Sequence, residues 1–116
     1  MATHTTLNWW ITIKADSMPK LKPVHPGEVL REEFMIPFNL NANSLALALR
    51  VAPPAVYEIV KDERGISSEM ALRLGRYFGT TADFWVNLQS HYELSTSRQR
   101  AEEKIIQEIQ PLTTGA

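Results

Sequence analysis

From residue 25 to residue 95 apolar side chains recur every three or four positions, the spacing of one helical face, and the breaks between runs carry cap and turn residues. Pro26 suits a first helical position and Glu28 a first turn, while Leu30 and Phe34 fall one turn apart before Pro37, which lacks a donor and clashes with the turn before it. A second, short helix follows Asn43 or Ser44 as cap, buries Leu45, Ala48 and Leu49, and ends near Arg50. Pro53 and Pro54 sit where a first turn tolerates missing N–H groups, and Val56, Ile59 and Val60 form the stripe of a third helix that runs out between Lys61 and Gly65. Ser67 caps a fourth helix, with Glu69 in its first turn, Ala71, Leu74 and Phe78 inward, and Gly79 as its stop. Thr80-x-x-Asp83 resembles a capping box for a fifth, where Trp85, Leu88 and Tyr92 repeat on one face. After a weaker stretch at Ser95 to Ser97, the positions Ala101, Ile105, Ile109 and Leu112 mark a candidate amphipathic extension. The class expected is all-α, five helices with a flexible N-terminal tail.

Only the first segment breaks the helical pattern. Leu7, Trp9, Ile11 and Ile13 alternate with Asn8, Trp10 and Thr12, as in a strand with one buried face. Three readings stand: an arm that pairs with another copy, a tail, or sequence translated upstream of a natural start at Met18. The chain therefore divides into a tail or arm over 1–22, with 1–17 the segment upstream of that start, a domain over 23–97, and a helical extension or tail over 98–116.

Length and composition narrow the function classes. At 116 residues the chain is about one domain long, too short for two lobes around a catalytic cleft. It has no cysteine, which excludes disulfides, thiolate metal sites and cysteine nucleophiles and makes the cytoplasm the expected compartment. No apolar run reaches the roughly 18 residues of a spanning helix, so no membrane partner is expected. Twelve Lys and Arg against thirteen Asp and Glu leave a formal charge of -1, so any attraction to phosphate must be local.

Two short helices separated by about three residues, inside a helical domain, have the arrangement of a helix-turn-helix, whose second helix lies in the DNA major groove. Leu45, Ala46, Leu49, Val51, Val56 and Ile59 occupy its apolar and small positions. Packing alone also accounts for them. The wider match is more specific: His25-Pro-Gly-Glu-Val-Leu-Arg-Glu-Glu-Phe, Ile59-Val with Arg64-Gly-Ile-Ser, Ala71-Leu-Arg-Leu-Gly-Arg-Tyr-Phe-Gly-Thr and Phe84-Trp-Val-Asn-Leu-Gln, in order over about residues 24 to 95. This run resembles the HigA-type (HigA/VapI) addiction-module antitoxins, a branch of the phage-repressor-like helix-turn-helix proteins. The resemblance implies a five-helix repressor-like domain, a homodimer, a palindromic operator at its own promoter, and a HigB-type messenger-RNA-cutting ribonuclease toxin as partner. Carried onto this chain, it assigns the groove to Pro53, Pro54, Tyr57 and Glu58, nearby phosphate to Asn43 and Ser44, and the flank to Lys61 and Arg64. The chain departs from the family where relatives place polar or basic side chains, at Pro54 and Ala55, and where Arg50 replaces the usual glycine of the turn. From Arg50 to Arg64 the three cations Arg50, Lys61 and Arg64 meet the three anions Glu58, Asp62 and Glu63, a local balance of zero. These departures keep two rivals open: a protein-binding module that masks its partner without reading bases, and a free-standing phage-like regulator with no toxin.

The remaining polar and aromatic residues add no chemistry. His25 and Glu28 have a two-ligand metal spacing with no third ligand nearby, so capping explains them better and neither a metal nor another cofactor is expected. Arg31, Arg73 and Arg76 are either phosphate contacts or solvated helix faces. Trp85, Leu88 and Tyr92 are core residues or the patch of an isologous dimer. With no nucleophile elbow, phosphate loop or paired-carboxylate pattern, the chain reads as no enzyme.

Overall fold

A computed structural model describes residues 23–113, and among them the chain forms five helices and no strand. Helix α1 opens with an α-helical turn at Pro26–Val29 and widens to π-helical winding over Leu30–Met35; α2 is Ala42–Leu49, α3 Pro53–Val60, α4 Ser68–Phe78 and α5 Ala82–Glu108. The class is all-α, as the periodicity indicates. The expected strand around Leu7 to Ile13, and the arm over 1–22, lie outside the described residues.

The wide turn in α1 follows from its apolar pattern. Val29 and Leu30 are buried, and so are Phe34 and Met35, pairs spaced five residues apart. Regular α winding would swing the second pair away from the first. A turn closed by the bond from the Ile36 N–H to the Arg31 carbonyl (3.0 Å) brings both pairs onto the core face.

Helix ends obey local chemistry, with two shifts from expectation. Ser67 caps α4 through its hydroxyl, which accepts from the Met70 N–H at 3.1 Å, and Gly79 ends it in the left-handed conformation at φ 75°. At α5 the cap is Thr81, not Thr80: the Thr81 hydroxyl accepts from the Phe84 N–H at 3.1 Å. Thr80 instead accepts from the Trp85 indole N–H at 2.8 Å. That bond lets Trp85 sink completely, because a buried indole needs one acceptor.

Trp85 is the largest fully buried side chain, and the Phe34 ring lies 4.9 Å from its ring and from that of Phe78. Leu88 is buried below it, and Tyr92 is half-buried with its ring edge-on to His25 at 4.7 Å. Of the two readings for Trp85, Leu88 and Tyr92, core or two-fold patch, burial within one copy fits the core for Trp85 and Leu88. Their side chains are packed inside one copy.

Ser95 to Ser97 do not interrupt α5, which continues for 27 residues, about 40 Å of helix. Thr96 is accommodated by its own bond to the Glu93 carbonyl at 2.9 Å. The expected extension beyond residue 97 is thus a continuation of the last helix of the domain. Nothing among the described residues covers its end, where Ile105, Ile106 and Ile109 stay exposed.

The first helix holds the carboxyl end of α3 in three ways. Gly27 packs so closely that a Cβ there would fall on the Ile59 carbonyl oxygen. Arg31 donates from Nη1 to the Val60 carbonyl at 2.6 Å. His25, only 7% exposed, accepts from the Gly27 N–H at its Nδ1 (2.8 Å), and the same Nδ1 lies 3.3 Å from the Asp62 carboxylate. The bond from the Gly27 N–H favours the form of the ring that has no proton on Nδ1, the neutral one. Burial pushes its pKa below the ordinary 6.5, against the upward pull of Asp62.

Two measurements follow from this contact. Gly27→Ala would gain helix propensity at an exposed site, but here the methyl meets backbone, and urea melts are expected to show a loss of about 3 kcal/mol. In the pH dependence, the unfolded chain binds a proton at His25 more readily than the folded one. The stability due to neutral His25 is therefore complete above the ordinary value of 6.5 and is lost as pH falls through the lowered folded value. His25→Asn, which keeps a cap acceptor without the titration, is expected to flatten that part of the profile.

Candidate nucleic-acid interface

Helices α2 and α3 share a small apolar seam. Leu45 and Ala46 are fully buried and Leu49 nearly so, facing Val56 and Ile59 at 1% exposure each. Ala46 is the close-approach position; Ala48, expected in the seam, is exposed.

The amino end of α2 is capped by Asn41, two or three residues earlier than Asn43 or Ser44 would place it. Asn41 Oδ1 accepts from the Ser44 N–H at 2.8 Å, and Ser44 Oγ accepts from the Asn41 N–H at 3.0 Å, a reciprocal capping box. Ser44 is thus occupied within the cap. Asn43, in the first turn, is exposed.

The turn depends on Arg50, which takes up the left-handed conformation at φ 60°, ψ 44°. That region favours glycine, so the arginine side chain is held there at a steric cost. Val51 N–H reaches back to the Ala46 carbonyl at 3.0 Å, closing the last turn of α2. The Leu49 carbonyl is taken by Arg73 Nη1 at 2.8 Å, and the Arg73 fork also grips Glu69 at 2.9 Å. Arg31 and Arg73, weighed from sequence as phosphate contacts or solvated faces, have a structural task instead. Each fastens one helix of the pair by a carbonyl, and bonds over 29 and 24 residues leave no trace in local spacing. Arg76 is exposed.

Helix α3 begins at Pro53 after Ala52, whose side chain makes no cap bond. Pro53, Pro54, Tyr57 and Lys61 lie on its exposed side. Lys61 Nζ stands 4.5 Å above the centre of the Tyr57 ring, a cation–π contact that holds both outward. Glu58 is half-buried, and its carboxylate is paired with Arg64 at 2.7 Å. Among the described residues no carboxylate lies within ion-pair distance of Arg50 or Lys61. The zero local balance counted from sequence therefore resolves into one internal pair, Asp62 and Glu63 beyond the helix, and two cations at either end of α3. His25 and Glu28 do not converge: His25 is turned to Gly27 and Asp62, and Glu28 is exposed.

No family model matches the chain. It is 45% identical over 97 residues to Virulence-associated protein I of Dichelobacter nodosus, covering 84% of this chain and 88% of that protein. Among solved structures, the Pseudomonas aeruginosa antitoxin HigA with the higBA promoter is 52% identical with a TM-score of 0.77, covering 78% of this chain and 99% of that one. The antitoxin GraA in complex with its operator is 44% identical with a TM-score of 0.77, covering 81% and 95%.

The turn makes a direct test of the Arg50 conformation. Arg50→Gly relieves a left-handed side chain at a cost to the unfolded chain of about 0.5–1 kcal/mol, so thermal melts are expected to show a net gain of about 0.5–1 kcal/mol.

Proposed function

Because the chain belongs to the HigA-type antitoxins, helix-turn-helix regulators rather than enzymes, we propose that it silences a HigB-type messenger-RNA-cutting ribonuclease and, as a homodimer, represses its own operon by binding operator DNA. The observation that carries the DNA-binding half is the outward side of α3: Pro53, Pro54 and Tyr57 lie between Arg50 and Lys61, cations available to phosphate. Similar chains solved with a promoter and with an operator support the same reading. In a dimer the two α3 helices would lie in successive major grooves about 34–36 Å apart, with Asn43 and Arg64 toward the flanking backbone.

Dimerisation falls to surface that one copy leaves open. Leu94, Ile105 and Ile109 are exposed along α5, and an isologous pair would bury the same stripe twice. The toxin half rests on family membership alone. The cytoplasm is where both proposed partners would be met, and no helix of the described residues is long and apolar enough to cross a membrane.

One observation favours the rival, a module that masks its partner without reading bases: the prolines leave the first turn of α3 without hydrogen-bond donors. Fluorescence anisotropy separates the two. The full chain is titrated onto labelled DNA from upstream of its own coding region and onto a scrambled duplex, at two salt concentrations. The repressor binds its own duplex more tightly, with affinity falling as salt rises; Lys61→Ala then weakens both duplexes and lowers the salt slope by about one. Equal or absent binding would move the function to masking alone.

A further inference from the structure

Hydrogen-bond accounting along α3 restricts what it can recognise. A helix normally leaves its first N–H groups free for a phosphate or a base edge. Here Pro53 and Pro54 have no N–H, and the Ala55 N–H is already bonded to the Ala52 carbonyl at 2.9 Å. Ala52 and Ala55 bring no polar side chain, and the Glu58 carboxylate is tied to Arg64 at 2.7 Å. From Pro53 to Val56, therefore, the outward side of the helix presents carbon alone. The first outward polar atoms are the Tyr57 hydroxyl and the Lys61 ammonium, one and two turns further along.

In the major groove each base pair offers donors and acceptors, and only thymine offers an apolar group, its 5-methyl. The rings of Pro53 and Pro54 are rigid and exposed, so they lose no rotamer freedom when a methyl packs on them. Arg50 and Lys61 at the two ends of this surface match the charge of the phosphates that would flank it. Resting on the repressor reading above, we infer that the outward side of α3 reads thymine methyl groups through Pro53 and Pro54, so that each operator half-site is recognised by carbon packing rather than by a bidentate hydrogen bond.

Replacing thymine by deoxyuridine removes that methyl and leaves pairing intact. The full chain is titrated by anisotropy onto its upstream duplex and onto duplexes in which the thymines of each half-site are changed to deoxyuridine one at a time. A scrambled duplex treated in the same way is the control. At one or two positions per half-site the affinity is expected to fall about fourfold per methyl, the transfer value of one buried carbon, with no change on the scrambled duplex. In Pro54→Ser, which removes the ring and supplies a donor, that penalty shrinks. Equal affinity for thymine and deoxyuridine at every position, with preference for the native duplex retained, overturns the inference and leaves the repressor standing. A penalty unchanged in Pro54→Ser overturns the assignment to the proline surface. No preference for the native duplex over the scrambled one overturns the inference together with the repressor reading.

Discussion

Everything that α3 presents outward depends on how its carboxyl end is held. The backbone of α1 at Gly27 lies directly against the Ile59 carbonyl, closer than any side chain would allow. Around that contact stand the Arg31 bond to Val60 and the His25 ring beside Asp62. A guanidinium bond to a half-buried carbonyl is worth more than a neutral one, since an unmet carbonyl would bear its full desolvation cost. The segment from His25 to Arg31, which carries much of the family resemblance, is thus explained by mechanics. Its glycine, its histidine and its arginine each meet the end of the recognition helix, though none faces the proposed DNA.

A second fastening acts at the other end of the pair. Arg73 holds the Leu49 carbonyl from α4, just before Arg50 turns the chain. With Ile66 N–H bonded to the Gln89 side chain at 2.8 Å, the loop after α3 is tied to α5 as well. The two short helices are eight residues each, too short to be stable in isolation. They are ordered by the apolar seam and by bonds from outside the motif.

What was legible in the sequence was local. Pro26, Pro53, Ser67 and Gly79 mark helix boundaries because each acts on its own backbone within a turn or so, and the seam of Leu45, Leu49, Val56 and Ile59 follows from period alone. Where two cap residues stood side by side the choice was not legible: Thr81 rather than Thr80 caps α5 because the Trp85 indole claims Thr80. Asn41 outranks Asn43 because the chain is extended at Asn41 and already helical at Asn43. Trp85 and Leu88 read from sequence as core or as a dimer patch, and the rings that Phe34 and Phe78 bring to Trp85 from other helices depend on packing that local spacing does not carry. Of the candidate interface, the sequence indicated the exposed row Pro53, Pro54, Tyr57 and Lys61, but not that Glu58 is paired with Arg64. The roles of Arg31 and Arg73 lay beyond reach, since they depend on carbonyls met only after folding.

The asymmetry of α3 bears on how such a protein can change over generations. Its carboxyl end is locked by α1, whereas Pro53, Pro54 and Tyr57 are exposed and carry little of the core. If these residues face DNA as proposed, substitutions at the three positions would alter which DNA is preferred while the scaffold stays folded. Descendants of one gene can diverge in target and cease to cross-regulate one another, keeping the same architecture throughout.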